Sequence, residues 1–208
     1  DDAFVTESKV PTFDPMSAPV SNNGRFWDYL PEYEERKTYG TYYWDINGNK
    51  VTEELRGDDS RIVIDRTLPF IDRSLKQGKP FLATIWFHTP HLPCVAGPEH
   101  AALYSDLPLE ERNYYGCITA MDEQIERLVN FLKRKGIYEN TVIFFCSDNG
   151  PELNTPGTAG IFKGKKRSLY EGGIRVPAFM VGGKGKLPGH ITQPCSTSDY
   201  LPTILEMT

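Results

Sequence analysis

The feature that most constrains this chain is the apolar run Thr141-Val142-Ile143-Phe144-Phe145-Cys146, closed by Ser147-Asp148-Asn149-Gly150-Pro151-Glu152. β-Branched and aromatic residues in a run of this length read as a buried strand. Asp-Asn-Gly at its end sets two hard oxygen donors at the carboxyl edge of a sheet, where α/β folds build their ligand sites. Oxygen donors of this kind suit Ca²⁺ or Mg²⁺. Asp, Asn, Gly and Pro are also ordinary turn formers, and taken alone this stretch reads as a βα turn.

A second polar stretch changes that balance. Lys165-Lys166-Arg167-Ser168-Leu169-Tyr170-Glu171-Gly172-Gly173-Ile174-Arg175-Val176-Pro177 brings positive charge suited to holding an anion beside a metal. Together the two stretches resemble the sulfatase family of the alkaline-phosphatase-like fold. Its pattern is Asp-Asn-Gly followed by Lys-x-x-x-(Tyr/Trp)-Glu-Gly-Gly-x-Arg-x-Pro. The resemblance runs upstream through Lys79-Pro80-Phe81 to His88-Thr89-Pro90-His91-Leu92-Pro93, and downstream to Thr197-Ser198-Asp199-Tyr200-Leu201-Pro202-Thr203-Ile204-Leu205. It covers roughly residues 58 to 208.

The resemblance implies roles for particular residues. Asp148 and Asn149 fall on metal-ligand positions for Ca²⁺ or Mg²⁺. His91, the second histidine of its motif, falls where the family contacts the sulfate or leaving-group oxygen and supplies a general acid. An imidazole suits that task because it becomes cationic readily beside an anion. Lys166, four residues before Tyr170, falls on the sulfate-binding lysine, and an ammonium is a compact charge fit for an anion. Lys163 and Lys165 lack that register and read as surface charge. Glu171 and Arg175 read as ion-pairing residues around the double glycine, and His88 as a residue that orients or underlies the loop.

The family's nucleophile is a cysteine or serine in Cys/Ser-x-Pro-x-Arg, oxidised to formylglycine. None of Cys94, Cys117, Cys146 and Cys195 stands in that motif, nor does any serine. The family also places an aspartate pair after its first strand, and Asp1-Asp2 have no strand before them. The expectation is a piece of a longer sulfatase whose nucleophile segment lies outside this chain, so that the chain alone is inactive. Two other readings stay open: a phosphonate or phosphate-ester hydrolase of the same superfamily, and a non-catalytic module that keeps an anion pocket.

Composition narrows the partners. A chain of 208 residues with net charge −5 has length enough for one sizeable core and lacks the clustered basic face that nucleic acid requires. No apolar stretch approaches the ~20 residues of a membrane span. The expected partner is a sulfated small molecule or sulfated saccharide, and the family implies an exported protein. The cysteines are widely spaced and form no CxxC pair, which argues against a zinc site or a disulfide-rich scaffold.

The expected organisation is an aromatic-rich lobe over residues 1–57 and the C-terminal part of a catalytic domain over 58–208. The lobe holds a hairpin, Tyr42 to Val51, around Asn47-Gly48. Next come a helix capped by Asp59 or Ser60 and a central strand over Phe81 to Phe87. A long helix from Leu109 to Gly136, strands over Thr141–Cys146 and Val176–Val181, and a last helix near Ser198-Asp199 complete the pattern. This order predicts an α/β fold with a mostly parallel sheet flanked by helices.

Overall fold

The structure is a computed structural model and describes residues 2–7, 9–29, 36–183 and 189–207. The chain forms two compact units, Asp1–Phe131 and Leu132–Thr208. Helices and sheets are mixed in the way the α/β expectation requires.

In the first unit, β1 (Phe4–Thr6), β4 (Tyr43–Asp45) and β5 (Lys50–Val51) make one antiparallel sheet; β2 (Ser17–Pro19) and β3 (Arg36–Thr38) make another. The β4–β5 hairpin turns at Asn47-Gly48 as the sequence suggests. The Asp45 carboxylate accepts from the amides of Asn47 and Asn49, which holds the turn closed. Helix α1 (Asp59–Lys76) buries Ile62, Ile64 and Ile71, and Ile62 packs with Tyr43 and Leu55 beneath the hairpin. Its cap is neither Asp59 nor Ser60. Asp58 takes the extended cap conformation and accepts from the Arg61 amide at 2.9 Å. Asp59 is therefore released for other contacts.

A short helix, α2 (Pro98–Ala102), precedes the long α3 (Leu109–Arg134). Its buried Cys117 and half-buried Tyr114 and Ile118 pack with Phe26 and Cys94. Backbone bonds from Asp59 to Thr12 and from Asp14 to Gly57 stitch the N-terminal segment to the start of α1.

In the second unit, β6 (Val142–Cys146) pairs with β7 (Ala178–Gly182), and Phe145 stacks on Phe179 at 4.9 Å. A single-turn helix α4 (Glu171–Ile174) lies between them in sequence, and α5 (Tyr200–Met207) follows a 3₁₀ turn closed by a Ser196–Asp199 capping box. Two sequence expectations need correction here. Every ladder among the described residues is antiparallel. A parallel pair needs a crossover long enough to carry the chain back to the same edge, and residues 147–177 contain only the four-residue α4. Residues 81–87 are extended but join no ladder among the described residues. Their exposure alternates with period two, Leu82 and Trp86 standing 77% and 80% exposed. An apolar run fixes the extended backbone, but a ladder also needs a neighbouring strand.

Candidate functional site

Three of the expected site residues lie in the second unit. At the end of β6 the chain turns through Ser147, whose hydroxyl donates to the Asn149 carbonyl at 3.0 Å. The Asn149 side-chain amide donates to the Gly150 carbonyl at 2.9 Å. This turns its nitrogen onto the chain and leaves its oxygen as the donor available to a cation. Asp148 is exposed, and its carboxylate makes no hydrogen bond or ion pair among the described residues. Gly150 is buried: its amide donates to Gly173 at 2.8 Å, and a Cβ there would stand 1.9 Å from the Gly172 carbonyl oxygen. Glycine is needed here because two backbones touch. The Lys166 amide then donates to the Pro151 carbonyl at 3.0 Å. The two polar stretches are thus fastened together by main-chain bonds.

The lysines of this loop are divided by their partners. Lys163 Nζ sits 4.1 Å from the centre of the Tyr170 ring, and Lys165 Nζ donates to the Gly157 carbonyl at 3.3 Å. The Lys166 ammonium makes no hydrogen bond or ion pair among the described residues. Burial tends to raise the nearby Glu152 carboxyl. The Leu153 amide, Arg167 and the charge of Lys166 outweigh it and hold that carboxyl below the usual range. Arg167 pairs with Glu152 at 2.6 Å and Arg175 with Glu171 at 2.8 Å. Both are surface pairs whose job is local.

His91 lies in the first unit. Its loop leaves residues 81–87 and runs through the cis Thr89–Pro90 and Leu92–Pro93 bonds. His91 Nδ1 stands 2.7 Å from the Leu92 carbonyl oxygen. A carbonyl only accepts, so Nδ1 carries the proton and Nε2 is the nitrogen left for chemistry. The Cys94 thiol donates to the Pro90 carbonyl at 3.3 Å from beneath. Beside it, burial pushes the Cys117 thiol well up. The Cys94 contact holds the loop backbone from the core side.

The sequence missed what lies under His88. Its Nδ1 stands 2.7 Å from Asp59 Oδ2, and the other Asp59 oxygen accepts from the Tyr43 hydroxyl. Asp59 has no solvent exposure. Burial, then the Asp59 charge, pushes the Tyr43 hydroxyl up, so that it stays a donor. The signal was present in the sequence: of two adjacent aspartates opening a helix, only one can cap it. Asp58 is pushed up to about 7, mainly by burial.

Similarity to known proteins settles the family. The family model "Sulfatase" matches residues 12–208. This chain belongs to the sulfatase family. It is 32% identical over 174 residues to the uncharacterized sulfatase YdeN of Escherichia coli K12, covering 80% of this chain and 31% of that protein. It is 29% identical over 197 residues to human N-acetylgalactosamine-6-sulfatase, covering 91% of this chain and 34% of that protein. Among solved structures it resembles Ps i-CgsB in complex with k-i-k-neocarrahexaose, with TM-score 0.70, 28% identity and coverage of 80% of this chain and 37% of that one. The sulfatase chain thus spans about a third of the length of the curated relatives it matches.

The donors available to a metal can be weighed from the residues present. Asp148 and the Asn149 amide oxygen are hard donors of the type Ca²⁺ and Mg²⁺ take, and the Asp148 carboxylate is uncommitted. No group of three or more His, Cys, Asp or Glu side chains placed to hold a metal occurs among the described residues. The two donors therefore fit a cation and fall well short of its about six oxygens. Nor is any described helix long and apolar enough to cross a membrane.

Proposed function

We propose that this chain forms part of the catalytic domain of a sulfuric-ester hydrolase acting on a sulfated saccharide. One observation carries the residue assignments. Of three clustered lysines, Lys166 alone has an ammonium that makes no hydrogen bond, ion pair or ring contact among the described residues, and its backbone is bonded to the segment bearing Asp148 and Asn149. The saccharide class is supported by relatives named for N-acetylgalactosamine 6-sulfate and ulvan, and by the carrageenan oligosaccharide in the similar solved structure.

Asp148 and Asn149 hold a Ca²⁺ or Mg²⁺ ion through oxygen. Such an ion, when bound, neutralises charge on the sulfate oxygens. Lys166 pairs with the sulfate and aligns it. His91 works through Nε2, because Nδ1–H is spent on Leu92; in its cationic form the Nε2 proton passes to the departing ester oxygen. The nucleophile is a formylglycine supplied outside this chain, and the 208-residue chain alone does not turn over.

The test is hydrolysis by the full-length protein of 4-nitrophenyl sulfate and 4-nitrophenyl phosphate, with sulfated saccharides alongside. Sulfate release exceeding phosphate release, lost on Lys166→Ala, is the expected result. Preference for the phosphate ester would overturn the reading.

A further inference from the structure

Beneath the loop that carries His91 lies a buried relay that the sulfatase reading leaves unused: Tyr43, Asp59 and His88. Asp59 sits at the first turn of α1 with no exposure, and both of its oxygens are engaged, one by the Tyr43 hydroxyl and one by His88 Nδ1 at 2.7 Å. A carboxylate only accepts, so the bond to Asp59 places the imidazole proton on Nδ1. When the ring is neutral, its lone pair is then on Nε2. That nitrogen makes no hydrogen bond among the described residues and is not among their buried unsatisfied atoms, and the His88 side chain keeps 15% of its surface open. The His91 amide donates to the His88 carbonyl at 2.5 Å, so both imidazoles belong to one turn.

We propose that His88 is a second substrate-contacting residue of this loop, its Nε2 accepting a hydrogen bond from a hydroxyl of the sulfated saccharide, with Asp59 and Tyr43 as the positioning residues that fix its tautomer. The proposal rests on the sulfated-saccharide reading above. In the neutral ring Nε2 has no proton to offer a sulfate oxygen, so its partner there is a donor, and hydroxyls are donors a sugar brings beside its ester. The arrangement separates tasks within one turn: His91 serves the ester and His88 reads the ring that bears it. A site built to pair with a hydroxyl discriminates against substrates that lack one, because its polar atom is then left without a partner.

The test uses the full-length protein and three variants. In His88→Asn the amide nitrogen takes the place of Nδ1, so the bond to Asp59 survives while the Nε2 position is lost. In His88→Gln the amide reaches the Nε2 position but gives up Asp59. In Asp59→Asn the carboxamide donates to Nδ1 and drives the proton to Nε2. Substrates are 4-nitrophenyl sulfate, which has no hydroxyl, and whichever of galactosamine 6-sulfate, carrageenan and ulvan oligosaccharides the wild type hydrolyses fastest. His88→Asn and Asp59→Asn are each expected to lower kcat/KM for the saccharide roughly tenfold more than for the aryl sulfate, chiefly through KM, and His88→Gln is expected to recover part of the saccharide loss. Nitrogen-15 NMR should show His88 protonated at Nδ1 in the wild type and at Nε2 in Asp59→Asn. Equal losses on both substrates, wild-type kinetics in His88→Asn, or an Nε2–H tautomer in the wild type would each overturn the proposal. A wild type that hydrolyses the aryl sulfate but no saccharide removes the saccharide reading and the proposal with it; one that hydrolyses neither removes the sulfatase reading itself.

Discussion

Gly150 donates its amide to the Gly173 carbonyl at 2.8 Å, and this one bond joins the Asp148-Asn149 turn to the double-glycine turn that follows Lys166. The contact exists because neither backbone carries a Cβ at the point of approach.

Gly150→Ala would place a methyl group 1.9 Å from the Gly172 oxygen. Backbone cannot yield as a flexible side chain does, so the turn must open. The expected cost is about 1–3 kcal/mol, typical of overpacking at a tight contact. Urea unfolding of the chain should register it, and an unchanged midpoint would show that the contact is dispensable.

Asp58 gives a pH signature. Its folded value of about 7 lies above the ordinary 3.8, mainly through burial. The folded state therefore favours the protonated acid, and the contribution to stability is full below the ordinary value and lost as pH rises through about 7. Asp58→Asn keeps a competent helix cap and cannot ionise. The wild type should lose up to about 4 kcal/mol relative to this variant between acidic and mildly alkaline pH. Parallel stability-versus-pH curves for the two proteins would refute it.

The lysine division predicts unequal variants. In the full-length protein, Lys166→Ala and His91→Ala should each lower turnover by ~10²-fold or more, the scale of positioned electrostatic and acid groups. Lys163→Ala, which loses a contact to the Tyr170 ring, should do far less. An essential Lys163 beside a dispensable Lys166 would shift the motif's register.

Metal affinity separates the chain from the whole protein. Asp148 and Asn149 supply two oxygens where Ca²⁺ takes about six or more. Calorimetric titration of the 208-residue chain with Ca²⁺ should show weak or no binding. Tight binding that survives both Asp148→Ala and Asn149→Ala would place the cation elsewhere.

Much of this molecule was legible in its residues, and the failures have physical causes. The Asn47-Gly48 hairpin, α1, α3 and the strand before Asp148 follow from local chemistry: a turn type, a cap, an apolar face. The direction of the sheet did not follow. An apolar strand reads the same whichever way its neighbour runs, and only the short helical content of residues 147–177 decides that. The candidate residues Asp148, Asn149 and Lys166 were read from contiguous stretches, and main-chain bonds hold those two stretches together. The bond from His88 to Asp59 joins positions far apart in the chain: the Asp58-Asp59 pair shows that one aspartate is spare from capping, but no local pattern names its partner.

The backbone of residues 81–87, unpaired among the described residues, has a practical consequence. Among the described residues it joins no ladder, its exposure alternates with period two, and Leu82 and Trp86 within it stand exposed, which is the chemistry of a template for strand addition. At high concentration the 208-residue chain is expected to self-associate along that stretch. Sedimentation velocity should then report self-association that grows with concentration and fades when Trp86 is replaced by lysine.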